Sequence, residues 1–134
     1  MSLVALFIWK NSFSVGVDCL DTDHIIITSL INHIDDAKLS GTDEAAVGMI
    51  LSALMSYAIG HFRREEQLLA EKSDPNLPAH IEQHHLVERQ LADLYADYQS
   101  CPDPETSREI MELLNYWITE HILRVDMRYK VLFS

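Results

Sequence analysis

Glycine and proline are both scarce, with four residues of each in 134. So few breakers argue against a turn-rich chain and for long helices separated by short breaks. Basic residues are few as well: ten Lys and Arg stand against 21 Asp and Glu, a formal charge of −11. A surface of that sign carries no electrostatic footprint for nucleic acid, and an anionic membrane would repel it. Only two cysteines occur, Cys19 and Cys101, far apart and without C-x-x-C spacing. They read as free thiols in a reducing compartment, which points to the cytoplasm. The opening apolar stretch from Leu3 to Trp9 is far shorter than the roughly 20 residues needed to span a bilayer. No basic residue precedes it, as a secretory signal would require, so it reads as the start of an arm that ends near Asp18.

The length suits one domain, 1–134, and four helical segments are expected. The first, 20–39, carries apolar residues at Ile27, Leu30, Ile31 and Ile34 and ends before Gly41. Thr42 is placed to cap the second, 43–72, whose first turn holds Asp43 and Glu44. Asp74-Pro75 and Asp103-Pro104 are both cap-plus-first-position signals, opening helices at 75–99 and 104–130. No segment shows sustained alternation with a period of two. Short connections favour antiparallel neighbours, so the expected fold is all-α, an up-down-up-down four-helix bundle with an N-terminal arm.

Against this background the seven histidines stand out. Positions i and i+4 of a helix differ by only about 40° and stack on one face. His80 and His84 form such a pair, on a stripe shared with Val87, Leu91 and Leu94; His61 and Glu65 form another, beside Leu54, Ala58 and Leu68. His24 lies one turn before Ile27, and His121 one turn beyond Trp117 and Ile118. A lone histidine on an apolar face is usually a hydrogen-bonded core residue. Five in one core would leave many buried polar atoms to satisfy, at a cost of kilocalories each, whereas a transition-metal centre satisfies them together. Five imidazoles and Glu65 exceed one coordination sphere, so two ions bridged by carboxylate are expected. Asp126 is the available second acid, although five residues along an ideal helix is about 140° around it; a π-bulge or the longer reach of a bridge would absorb the offset. His33 and His85 lie off the stripes, and Arg63, Arg64 and Glu66 read as a solvated polar face with helical ion pairing. Nothing near Cys19 in the sequence supplies positive charge, so it reads as inert.

The stretches Trp9, Val15-Gly16, Asp21-x-x-His24, His61-Phe62-x-x-Glu65-Glu66, Pro75-x-Leu77-x-x-His80-x-x-x-His84 and Trp117-x-x-x-His121-Ile122-x-x-x-Asp126-x-x-Tyr129 resemble the bacterial hemerythrins nearly end to end. That resemblance implies two iron ions, Fe2+ or Fe3+, joined by an oxo or hydroxo group. His24 and His61 would hold one, and His80, His84 and His121 the other, with Glu65 and Asp126 bridging. Members of the family bind dioxygen reversibly at the two-histidine iron, with oxidation of the pair. Two departures are visible: Asp23 stands where the family usually has Gln, adding an anion beside His24, and Leu69 occupies a position often taken by Met.

The expected function is therefore non-enzymatic O2 binding for storage, delivery or sensing, with no catalytic residue. Ile27, Trp117 and Ile118, each one turn from a ligand, would line the O2 pocket. The alternatives are a di-iron enzyme handling peroxide or nitric oxide, and an iron storage or repair protein. A carboxylate-rich oxidase is disfavoured, because such bundles use two Glu-x-x-His motifs and this chain has one, Glu82-x-x-His85, off the stripe.

Overall fold

A computed structural model describes residues 9–39, 44–117, 120–121 and 126–133. Gly41, Thr42, Asp43, Ile118 and the side chain of Asp126 lie outside the described residues. Four α-helices follow in order: α1 (Asp18–Leu39), α2 (Glu44–Glu71), α3 (Leu77–Ser100) and α4 (Pro104–Trp117). A short 3-10 turn at Asn11–Phe13 precedes them, and a 3-10 helix at Asp126–Phe133 follows. Each α-helix packs on its chain neighbours and α4 returns to α1, which makes an antiparallel four-helix bundle. No helix among the described residues is long and apolar enough to cross a membrane.

All four strands of sequence report the same layering. In α1 the order is Leu20, His24, then Ile27, Ile31 and Ile34; in α2 it runs Val47, Leu51 and Leu54, then His61 and Glu65, then Leu69. α3 repeats the first order, with His80 and His84 before Leu91 and Tyr98; α4 supplies the apolar Ile110, Met111, Leu114 and Trp117, and His121 and Tyr129 follow beyond its end. A long apolar core from Val47 and Tyr98 to Phe62 and Trp117 fills one end. Val15, Leu20, Leu69 and Tyr129 close the other, with Leu132 and Phe133 packed against them. The buried polar layer lies between, shut in by the arm and the C-terminal 3-10 helix.

Local chemistry fixes both closures. Asp21 accepts hydrogen bonds from Ser14 Oγ (2.5 Å) and Val15 N (2.9 Å), pinning the arm to the first turn of α1. Gly16 turns the chain there at φ +85°, a region that side-chain-bearing residues rarely adopt. Gly48 serves a different need: a Cβ built on it would lie 3.2 Å from the buried Tyr98 ring, so its absence lets α3 approach α2.

Several helix boundaries differ from the sequence reading: α1 starts at Asp18, where 20 was expected, α2 ends at Glu71 and α3 at Ser100, each one residue off, and the start of α3 and the course beyond α4 differ as well. Asp74 and Pro75 form a turn instead of opening α3, with Asp74 Oδ1 accepting from Asn76 N; the helix begins at Leu77, with Pro78 in its first turn. Asp103 does cap α4, its Oδ1 accepting from Glu105 N at 2.7 Å. The expected α-helix 104–130 is not uniform among the described residues: α4 covers Pro104–Trp117, Glu120 and His121 are π-helical, and Asp126–Phe133 is a 3-10 helix.

Candidate metal centre

Glu65 is the centre of the polar layer. It is fully buried on α2, four residues beyond the equally buried His61. Its two oxygens face different partners. Oε1 lies 2.5 Å from His80 Nε2, 3.1 Å from His84 Nε2 and 3.6 Å from His121 Nε2. Oε2 lies 3.4 Å from His61 Nε2 and 3.9 Å from His24 Nε2, and accepts the Tyr129 hydroxyl at 2.9 Å. Two groups of ligand-competent atoms result, Glu65 with His80, His84 and His121, and Glu65 with His24 and His61. Among the described residues they share only Glu65. Burial would raise its pKa, but the imidazoles of His121, His61, His80 and His84 that surround it in the metal-free layer hold it well below the usual carboxylate range.

The outer nitrogens decide what the inner ones offer. His61 Nδ1 faces Asp23 Oδ2 at 3.0 Å and His84 Nδ1 faces Glu66 Oε2 at 2.7 Å. With Nδ1 donating to its outer carboxylate, the neutral ring of each has an Nε2 lone pair to offer a cation. Those lone pairs point at each other's neighbours and at an anion: His61 Nε2 is 3.2 Å from His24 Nε2, and His84 Nε2 is 3.1 Å from His121 Nε2. Converging acceptors need cations between them. Two ligand atoms at right angles on one ion, with bonds of about 2.1–2.2 Å, are about 3.0–3.1 Å apart. The spacing within each group therefore suits a shared metal ion.

Aromatic rings hold the imidazoles in place. Phe62 stacks on His84 with centroids 4.2 Å apart, and Trp117 stacks on His121 at 5.5 Å. Trp9 of the arm lies 6.4 Å from His24. Ile27 is fully buried one turn beyond His24.

The structure thus brings together His24, His61, Glu65, His80, His84 and His121, while the Asp126 side chain and Ile118 fall outside the described residues. His33 is exposed, and His85 lines a surface groove with Arg63 and Glu88. Glu66 corrects the sequence reading. The expected helical ion pair is present, Arg63 with Glu66, but Glu66 also accepts from His84 Nδ1, because that ring reaches over from α3 toward the position after Glu65. Asp23 lies beside His24 in the chain but hydrogen-bonds His61 instead. Cys19 is exposed.

A family model described as the hemerythrin HHE cation binding domain matches residues 15–132. The chain belongs to the hemerythrin family. It is 30% identical over 126 residues to a bacteriohemerythrin of Stenotrophomonas maltophilia, covering 94% of this chain and 80% of that protein. A bacteriohemerythrin of Methylococcus capsulatus is 27% identical over 127 residues, with 94% and 95% covered. Among solved structures, wild-type hemerythrin superposes with a TM-score of 0.82 at 27% identity, covering 97% of this chain and 99% of that one. A leucine-to-alanine hemerythrin mutant gives 0.87 at 26% identity, covering 100% and 99%. In this hemerythrin-family chain the donors that could hold a cation gather in the layer centred on Glu65.

Proposed function

We propose that the chain holds two iron ions and binds dioxygen reversibly, for storage, delivery or sensing, as a non-enzymatic cytoplasmic protein. The observation that carries this reading is the division of Glu65, one oxygen toward three histidines and the other toward two. His80, His84 and His121 would hold one ion, His24 and His61 the other, with Glu65 between them and Asp126 as the second bridge that the family resemblance implies. When bound, the iron pair supplies the two electrons with which dioxygen is held.

The chain's own residues do the rest. Two imidazoles against three leave the His24 and His61 side with fewer protein ligands, hence with room for a small molecule. Ile27 and Trp117, with Ile118 from outside the described residues, would make that space apolar, and apolar cavities of molecular size stay dry. Tyr129 donates its hydroxyl proton to Glu65 Oε2, fixing the carboxylate's orientation. Oxygen uptake by the anaerobically reduced, iron-loaded protein tests the proposal. One O2 per two irons, returned on lowering the oxygen pressure, is the expected result; catalytic consumption beyond that ratio would favour the enzyme alternative and overturn this one.

A further inference from the structure

Two histidines, one from each group, are gripped from behind by a carboxylate that an arginine neutralises. Asp23 Oδ2 accepts from His61 Nδ1 at 3.0 Å and from Arg64 Nε at 2.9 Å. Its Oδ1 accepts from Arg64 Nη2 at 2.9 Å and from the Tyr57 hydroxyl at 2.8 Å. Behind His84 stands Glu66, which takes Arg63 Nη1 on both oxygens at 2.9 and 2.8 Å. Arg63 is itself shared with Glu88 at 2.5 Å. The adjacent arginines of α2 therefore diverge, one to each side of the layer.

The two grips differ in charge. One carboxylate and one guanidinium stand behind His61; two carboxylates and one guanidinium stand behind His84. The Asp23 side chain is 5% exposed, whereas Arg64 is 45% exposed and lies over the Tyr57 ring at 5.4 Å. A carboxylate behind a ligating imidazole fixes its tautomer and raises its basicity. A bidentate guanidinium on the same carboxylate draws that charge away.

We propose that Asp23 is a positioning residue for His61 and that Arg64 sets how much of its negative charge reaches the metal on the two-histidine side. This rests on the reading that His61 ligates a metal ion. The two side chains then act in opposite directions on one observable. Asp23→Asn keeps an oxygen acceptor for Nδ1 but loses the charge, so the imidazole donates less and the higher oxidation state is less favoured. Arg64→Gln leaves the carboxylate unneutralised, so the imidazole donates more.

The test is the reduction potential of the iron-loaded protein, with cobalt(II) affinity of the metal-free protein as a second measurement. Asp23→Asn should bind cobalt 10- to 100-fold more weakly, the usual loss for such a partner. It should also raise the potential; a tenfold selective loss of ferric over ferrous binding is about 59 mV for one electron. Arg64→Gln should lower the potential, by less because half-exposed charge is screened. A merely structural role would move both variants the same way or neither, and either outcome overturns the proposal. Should Asp23→Asn fail to fold, Arg64→Gln alone still decides it, since an unchanged or raised potential contradicts the charge argument. His61→Ala separates the underlying reading: if it keeps two irons, His61 is no ligand and the proposed function fails first.

Discussion

Truncating Ile27 to alanine probes the apolar wall beside the two-histidine group. Its side chain is fully buried within the main core, one turn beyond His24. Removing three carbons forfeits about 2.4 kcal/mol of transfer free energy at about 0.8 kcal/mol per group. If the rigid helices around it do not collapse, a residual void of roughly 60–70 Å³ adds about 1.5 kcal/mol at 24 cal/mol per Å³. The sum, about 4 kcal/mol, lies inside the range measured for such truncations. Ile25, two residues earlier on α1, is 39% exposed and supplies the control. Ile25→Ala should cost under about 1 kcal/mol, as surface changes do. Urea unfolding of the metal-free proteins measures both. Metal content should stay at two ions in each, because neither side chain is among the converging donors. Equal losses in the two variants, or a larger one at Ile25, would refute the assigned phase of α1.

Glu65→Gln should cost far more metal than Glu66→Gln, since Glu65 faces both groups whereas Glu66 stands behind His84 of one group; metal analysis after dialysis checks the order. The second variant should weaken binding about 10- to 100-fold without abolishing it. His33→Ala and His85→Ala should keep the full metal content and visible spectrum, and loss of either would show a misassigned ligand. Ile118→Ala should keep its metal but lose the oxygenated form faster in air, with hydrogen peroxide released; equal or slower decay would remove Ile118 from the pocket wall.

The bundle and the six converging donors were legible because each depends on one helix at a time. The i, i+4 spacing of His61 with Glu65 and of His80 with His84 fixes a stripe, and the apolar neighbours fix its direction. What the sequence hid depends on two helices meeting. Asp23 and His61 are 38 positions apart, and only the approach of α1 to α2 gives the aspartate its partner. Glu66 is about 100° from Glu65 around α2, which suggested solvent, yet the reach of His84 from α3 covers it. The start of α3 was misplaced because Asp-Pro favours both a helix entry and a turn. Here the turn holds, and Ser73, at φ 54°, ends α2 just before it.

The most direct test of the central reading is spectroscopic. The iron-loaded chain is reduced without oxygen, exposed to O2, and then returned to an oxygen-free atmosphere. A visible charge-transfer spectrum that appears with O2 and fades on its removal, over repeated cycles at two irons per chain, is the expected result. One irreversible oxidation, or no new band at full iron loading, would contradict reversible dioxygen binding at the Glu65 centre.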